Sequence, residues 1–324
     1  GLHWNVAESL PVHEDIKRGS GDLENLFETY RTSLRNLSAC GVKTVCYNFM
    51  PLLDWTRTHL TAPVARGGTA LRFSTPHMAA FEICMLKREN ASDDYSNEVC
   101  AEGERWFANS TDAERDLLLS SIMAGLPGAF ARYNVETLRE ALKTYADIDA
   151  AALRTNYARF LEEVIPTAEE HGMLMCVHPD DPPRNILGLP RIVTSREDIA
   201  WIMDQQDSVS NGLTMCSGSL GANPNNDVPE IAGRFADRIH FAHLRNVTKE
   251  LDGSFQEASH LGGDTDLVAV IKVLLEEEER RRNNGQGDSE IPFRPDHGHN
   301  LLDDRNRNTH PGYPINGRMV GLAE

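Results

Sequence analysis

The sequence predicts an α/β fold in which parallel strands alternate with helices, and three observations lead to this prediction. Short apolar runs recur along the chain, separated by segments whose apolar residues have helical spacing. A strand, helix, strand order is visible at the start, with a strand at residues 1–6, a helix at 23–37 and a strand at 42–49. A residue of metal-ligand type closes each of four later apolar runs. A barrel of repeated βα units accounts for all three.

The later elements continue this alternation. Residues 135–171 have a strong helical pattern and lead into a strand at 173–177. The elements that follow are a helix capped by Ser195 and running to about 206, a strand at 213–216, a helix at 229–235, a strand at 239–244, a helix at 267–279 and a strand at 291–294. In a barrel the carboxyl ends of such strands meet at one mouth. A doubly wound open sheet is the alternative, but it would spread the strand ends along an edge.

The length of 324 residues suits one barrel domain spanning residues 1–324. Between about residues 60 and 134 the alternation gives way to a Gly-rich turn, an acidic stretch and short helical segments. We expect this segment to be an insertion after an early strand that covers the catalytic face of the barrel.

The net charge of −17 disfavours nucleic acid and anionic membranes as partners. No run approaches the roughly 18 apolar residues that a membrane span needs, and no signal segment opens the chain. The six cysteines lack paired Cys-x-x-Cys spacing, which favours reduced thiols and a cytoplasmic location.

The four residues that close apolar runs are His178, Cys216, His243 and Asp296. Taken singly, each has an ordinary explanation as a strand-end histidine, a core thiol or a loop carboxylate. Their placement at successive strand ends predicts that the side chains converge and bind one transition-metal ion. Imidazole and thiolate favour Mn, Fe, Co or Zn over Ca or Mg. A closed structural zinc site is the alternative, although it usually shows close paired spacings.

Two neighbouring residues are candidates for acid-base chemistry. His297 follows Asp296 directly, and Tyr313 lies in a Pro-Gly-Tyr-Pro turn further on. Either side chain acts as a general acid or base if it faces the metal, whereas Tyr313 is otherwise an ordinary turn aromatic.

A small anionic substrate needs locally placed donors in a chain of net negative charge. A guanidinium suits a carboxylate because it can donate two parallel hydrogen bonds, which makes Arg57, Arg184 and Arg245 candidates. Asn48 at the end of the second strand and Ser217 in a small-residue turn are further candidates for binding substrate.

Several ordered motifs resemble the mannonate dehydratases of hexuronate degradation, over nearly the whole chain. They are ESLPVHED at 8–15, VCYNFMP at 45–51, DWTRT at 54–58, CVHPDDPP at 176–183, GLPRIV at 188–193, CSGSLG at 216–221, HFAHLRNV at 240–247 and RPDHG at 294–298. Strings of this length are far more specific than a short motif.

The resemblance implies a TIM barrel related to xylose isomerase, with one Mn²⁺ or Fe²⁺ held by the residues matching His178, Cys216, His243 and Asp296. It also implies that His297 and Tyr313 form an acid-base pair, that a sugar acid loses water, and that the protein assembles as a homo-oligomer. The chain starts without Met, in what matches the family's second strand, and stops where a last helix would begin. We therefore expect the barrel to lack its first strand and last helix. A metal-dependent sugar isomerase of the same barrel class and a non-catalytic structural-zinc protein are the functional alternatives.

Overall fold

The computed structural model describes residues 1, 3–125, 133–287 and 289–324, so residues 126–132 of the expected insertion lie outside the described part. The strands, in chain order, are β1 (Val6–Glu8), β2 (Thr44–Tyr47), β3 (His59–Pro63), β4 (Thr69–Phe73), β5 (Leu174–Val177), β6 (Asn211–Cys216), β7 (Ile239–Leu244), β8 (Val247–Lys249), β9 (Phe255–Glu257) and β10 (Phe293–Pro295). They form two sheets with different roles.

The larger sheet has six parallel strands in the order β1-β2-β5-β6-β7-β10. Every residue of β2, β6 and β7 is buried, which explains why these strands read as continuous apolar runs. Because all six strands run the same way, their carboxyl ends lie at one edge. This arrangement is an α/β fold of the TIM-barrel kind.

The helices pack mainly around this sheet. They are α1 (Glu14–Arg18), α2 (Leu23–Ala39), α3 (Thr75–Ala80), α4 (Asn97–Asn109), α5 (Asp112–Ile122), α6 (Val135–Lys143), α7 (Ala150–Glu170), α8 (Arg196–Gln205), α9 (Ser217–Gly221), α10 (Val228–Arg234), α11 (Leu267–Asn283) and α12 (Ile315–Ala323). Apolar faces of α2, α7, α8, α10 and α11 contribute buried residues to one core with the parallel strands. Burial of these faces is the main source of stability.

The second sheet is antiparallel, with strand order β3-β4-β9-β8. In this sheet, the hairpin of β3 and β4 is joined to the hairpin of β8 and β9, which follows β7, by pairing between β4 and β9. A second apolar core lies between this sheet, α3, α5 and α6. The segment at about 60–134 therefore shares this second core with β8, β9 and residues that follow β5, such as Ile186 and Leu189.

The structure differs from three expectations about the elements. The helical pattern of residues 135–171 is interrupted, because Asp149 caps α7 by accepting a hydrogen bond from the Ala152 amide, so α6 and α7 are separate helices. The first strand is Val6–Glu8 instead of residues 1–6. At the other end, residues 321–323 complete helix α12 instead of starting a helix. Among the described residues, no helix is long and apolar enough to cross a membrane.

Candidate active site

Four side chains converge at the carboxyl edge of the parallel sheet. His178 follows β5, Cys216 ends β6, His243 lies near the end of β7 and Asp296 follows β10. One ligand-type atom from each of His178, Cys216 and His243 lies within 4.8 Å of the other two. The His243 Nδ1 atom is 3.1 Å from His178 Nε2 and 3.8 Å from Asp296 Oδ2. We call these four residues the donor cluster.

The electrostatics of the donor cluster suit a cation. Burial alone would raise the pKa of the Cys216 thiol, but the charges of Arg245 and His178 and hydrogen bonds from the two histidines hold that pKa well below its ordinary value. Burial likewise opposes ionisation of Asp296, yet His297 and Arg294 keep the pKa of its carboxyl well below its ordinary value. A thiolate and a carboxylate therefore lie beside two imidazoles.

This donor set fits a divalent transition metal. Burial would lower the pKa of His178, but Cys216, Glu8 and Asp296 raise it to about 9. Without a metal, the His178 imidazole is therefore protonated at neutral pH. Two nitrogens, a thiolate sulfur and a carboxylate oxygen match ions of intermediate softness such as Mn, Fe, Co or Zn. The described part of the chain has no other group of three His, Cys, Asp or Glu residues placed this closely.

His297 and Tyr313 lie next to the donor cluster, in contact with each other. Their ring centroids are 5.2 Å apart and the rings are perpendicular. His297 Nδ1 lies 2.9 Å from Glu257 Oε1, which leaves Nε2 as the ring nitrogen for chemistry. The Tyr313 hydroxyl accepts a hydrogen bond of 3.3 Å from Arg294, and burial raises its pKa above the ordinary value. Both side chains line the same cleft as His178 and Asp296.

Behind the donor cluster lies a network of four fully buried charges, formed by Arg57, Asp181, Arg245 and Glu257. Arg57 Nη1 and Nη2 donate to the two oxygens of Asp181 at 2.7 and 2.9 Å. Arg57 Nη2 also donates to Glu257 Oε1 at 2.9 Å. Arg245 donates to Glu257 at 2.8 Å and to Asp181 at 2.6 Å. We call this set the ion-pair network.

The ion-pair network holds His297, a candidate for acid-base chemistry, and Asp296, a metal donor, in position. Although burial would raise the pKa of Glu257, the charges of Arg245, His297 and Arg57 lower it to about 2, so the carboxylate beside His297 stays ionised. Arg245 Nε is 3.1 Å from Asp296 Oδ2 and therefore also steadies the donor cluster. The network links the antiparallel sheet, through Glu257, to the parallel one.

The five residues predicted to bind substrate have different positions. Asn48 and Arg245 line the same cleft as His178, Asp296, His297 and Tyr313. Arg57, Arg184 and Ser217 do not line it. Both terminal nitrogens of Arg57 are engaged in the ion-pair network, and the Ser217 hydroxyl donates to the Arg245 carbonyl at 2.6 Å. Arg184 instead lies against the ring of Tyr95.

Arg57, Arg184 and Ser217 therefore lie outside the cleft, and their roles in binding substrate stay predictions. The buried Nε atoms of Arg57 and Arg245 have no hydrogen-bond partner within the described structure. Arg245 lines the cleft, its terminal nitrogens donate to Asp181, Glu257 and Ser219, and its Nε lies 3.1 Å from Asp296 Oδ2.

Sequence reasoning missed three charged residues of the site. Glu8 ends β1, and its Oε2 lies 3.3 Å from His243 Nε2. Arg294 lies in β10 and is a quarter exposed, with contacts to Glu8, Asp296 and Tyr313. Glu257 ends β9. The sequence pattern could have indicated Glu8, because this residue ends an apolar strand, as the four donors do. It could not have indicated Glu257, because β9 is too short to recognise from the sequence.

Comparisons with known proteins show the family to which the chain belongs. The family model described as D-mannonate dehydratase (UxuA) matches residues 1–324. A mannonate dehydratase of Chromohalobacter salexigens is 50% identical over all of this chain and 83% of its own length. Mannonate dehydratase 1 of Agrobacterium fabrum is 51% identical over all of this chain and 81% of its own length.

A solved structure has the same fold as this chain. The crystal structure of mannonate dehydratase from Streptococcus suis serotype 2 superposes with a TM-score of 0.72 at 34% identity, covering 98% of this chain and 73% of that one. With a family match over its full length, two curated relatives at half identity and the same fold in a solved relative, the chain belongs to the D-mannonate dehydratase family.

Proposed function

We propose that this protein dehydrates D-mannonate to 2-dehydro-3-deoxy-D-gluconate in hexuronate catabolism. The observation that carries the proposal is the placement of the donor cluster beside the pair His297 and Tyr313 in one cleft. Membership of the D-mannonate dehydratase family names the reaction. The cleft brings together what the reaction needs, namely a set of metal donors and two groups that can transfer protons.

The metal is proposed to be one Mn²⁺ or Fe²⁺ held by His178, Cys216, His243 and Asp296. When bound, such an ion supplies Lewis-acid stabilisation of the negative charge that grows on the substrate carboxylate as C2 loses its proton. The six parallel strands are proposed to belong to an eight-stranded barrel of the xylose isomerase type, in a single domain. A homo-oligomer, a cytoplasmic location and the absence of nucleic-acid or membrane partners stay predictions from the sequence.

The reaction is a β-elimination in which the C2–H bond and the C3–O bond break, and a C2–C3 double bond forms. One of His297 and Tyr313 accepts the C2 proton, and the other donates a proton to the departing C3 hydroxyl, which leaves as water. The resulting enol becomes the 2-keto acid by proton transfer to C3. Glu257 stabilises the His297 imidazolium in whichever step forms it, since its carboxylate is ionised and 2.9 Å from Nδ1.

Arg294 and Asn48 are the proposed substrate-binding residues. Arg294 lines the cleft and is the arginine there with partial solvent exposure, and Asn48 lines the same cleft. The Arg294 guanidinium also contacts Glu8, Asp296 and Tyr313, so its partial exposure in the cleft is what supports a contact with the substrate carboxylate, close to the metal donors and the acid-base pair. A contact of Arg57, Arg184 or Arg245 with that carboxylate stays a prediction.

The proposed function is tested with metal-stripped protein, given D-mannonate with and without Mn²⁺, while formation of the 2-keto-3-deoxy acid is followed. We expect product only when Mn²⁺ is present. His297→Asn, loaded with Mn²⁺ in the same way, is the control for contaminating activity and should give far less product. No product from the metal-loaded wild type would contradict the proposal, and conversion of aldoses without loss of water would indicate the isomerase alternative instead.

A further inference from the structure

Glu8 contacts the donor cluster from the strand on its far side. Its carboxylate ends β1 and is mostly buried. The Oε2 atom lies 3.3 Å from His243 Nε2, and Arg294 holds both carboxylate oxygens, with Nη1 2.5 Å from Oε2 and Nη2 3.1 Å from Oε1. The position of the carboxylate is therefore fixed by an ion pair, while its Oε2 faces an imidazole.

The two ring nitrogens of His243 face different groups. Nδ1 faces the other donors, His178 Nε2 at 3.1 Å and Asp296 Oδ2 at 3.8 Å. Nε2 is buried, and among the described residues it has no partner in full hydrogen-bond geometry, with the Glu8 carboxylate as its close charged neighbour. The ring can therefore give Nδ1 to the metal and direct Nε2–H at Glu8.

His178 shows the same division between its two nitrogens. Its Nε2 faces His243, and its Nδ1 lies 2.7 Å from the Pro179 carbonyl oxygen. A carbonyl can only accept a hydrogen bond, so Nδ1 carries the proton and Nε2 is free for the metal. Both histidines then place one nitrogen in the donor cluster and the other against an oxygen acceptor.

From this arrangement we propose that Glu8 is a positioning residue for His243, accepting a hydrogen bond from Nε2–H and so presenting Nδ1 to the metal. The inference rests on the metal site of the proposed function. Histidines that bind metals almost always donate their other ring N–H to a carboxylate, carbonyl or water. For His243 the described structure offers one charged acceptor in contact with Nε2, and Arg294 keeps that acceptor in place.

The first test measures the affinity of the protein for Mn²⁺ by calorimetry, in the wild type and in Glu8→Ala and Glu8→Gln. Loss of a group that orients a metal ligand typically weakens metal binding 10–100-fold. We expect the Kd to rise by about that factor in Glu8→Ala and by less in Glu8→Gln, because the amide oxygen still accepts a hydrogen bond. Glu28→Gln, a substitution on the outer surface of α2, is the matched control and should leave the Kd unchanged.

The second test uses ¹⁵N NMR of histidine-labelled protein loaded with Zn²⁺, a diamagnetic probe. We expect the wild type to show His243 with metal-bound Nδ1 and protonated Nε2, and we expect Glu8→Ala to lose slow exchange of that Nε2 proton. A metal bound through Nε2, or an unchanged Kd in Glu8→Ala, would overturn the inference alone. If wild type itself binds neither Mn²⁺ nor Zn²⁺, the metal site of the proposed function fails first. Because the NMR spectrum also reports folding, a Glu8→Ala variant that does not fold leaves the wild-type nitrogen assignment as the deciding result.

Discussion

The donor cluster and the ion-pair network are two buried polar regions in contact, but their charges are satisfied in different ways. In the network, Asp181 receives hydrogen bonds from both arginines, and Glu257 receives them from the arginines and faces His297. In the donor cluster, two imidazoles, a thiolate and a carboxylate crowd together, so that groups able to bind one cation face one another.

This difference indicates that the ion-pair network is a scaffold and that the donor cluster is the reactive site. A buried charge without its partner costs several kcal/mol, so a set of opposite charges that pair with one another holds the surrounding elements in one arrangement. A set of donors that face one another, with pKa values shifted by mutual interaction, is instead typical of a site that binds a ligand. Substitutions in the two regions should therefore have different effects on metal binding, turnover and stability.

Cys216→Ser should abolish activity by removing the metal. The thiolate is the softest donor of the cluster, and a neutral hydroxyl replaces neither its charge nor its affinity for transition metals. Metal content of the purified protein, measured by elemental analysis, checks this. Cys40→Ser, at an exposed cysteine, should keep wild-type metal content, and full occupancy in Cys216→Ser would remove that residue from the metal site.

His297→Asn should lower turnover by roughly 10²–10⁴ while metal content stays at the wild-type level, because general acid-base assistance typically contributes a factor of that size. Steady-state kinetics together with elemental analysis separate the two effects. Tyr313→Phe should show the same split. Wild-type turnover in either variant would contradict its place in the acid-base pair.

Asp181→Asn should destabilise the fold by about 3–5 kcal/mol, since it leaves Arg57 and Arg245 with one buried negative partner fewer. Urea unfolding followed by circular dichroism measures this change. The matched control is Glu140→Gln, at an exposed pair with Lys143, which should change the unfolding free energy by no more than about 0.5 kcal/mol. Equal stability of the two variants would mean that the ion-pair network is not a scaffold.

The contribution of Glu257 to stability should depend on pH. Its pKa falls from an ordinary value of 4.5 to about 2 on folding, so the folded state binds this proton less readily than the unfolded chain. The stabilisation is fully present above about pH 4.5 and is lost as pH falls towards 2. The difference in unfolding free energy between wild type and Glu257→Gln should therefore shrink between pH 6 and pH 3. A difference that stays constant over that range would show that the pKa of Glu257 is not depressed by folding.

The parallel part of the fold and the donor cluster could be predicted from the sequence for a physical reason. Strands buried on both faces read as continuous apolar runs, and a polar residue that ends such a run lies at the carboxyl edge of the sheet. His178, Cys216, His243 and Asp296 all meet that condition, so their convergence followed from local patterns alone. Glu8 met it too, at the end of a strand of only three residues.

The antiparallel sheet and the ion-pair network could not be predicted in this way. Strands β8 and β9 have three residues each, and β9 pairs with β4, which lies far away in the chain. Whether an arginine is free or saturated depends on such tertiary contacts, and Arg57 reaches Glu257 across 200 residues of sequence. The sequence therefore could not show that Arg57 and Arg184 lie outside the cleft while Arg245 and Arg294 line it.

Anomalous scattering from crystals grown with Mn²⁺, measured at the manganese absorption edge, tests most directly whether the donor cluster binds the metal. We expect one strong peak between the side chains of His178, Cys216, His243 and Asp296, and no peak among the four charges of the ion-pair network. A peak within the network, or none in the donor cluster, would contradict the assignment of one region as scaffold and the other as the metal site.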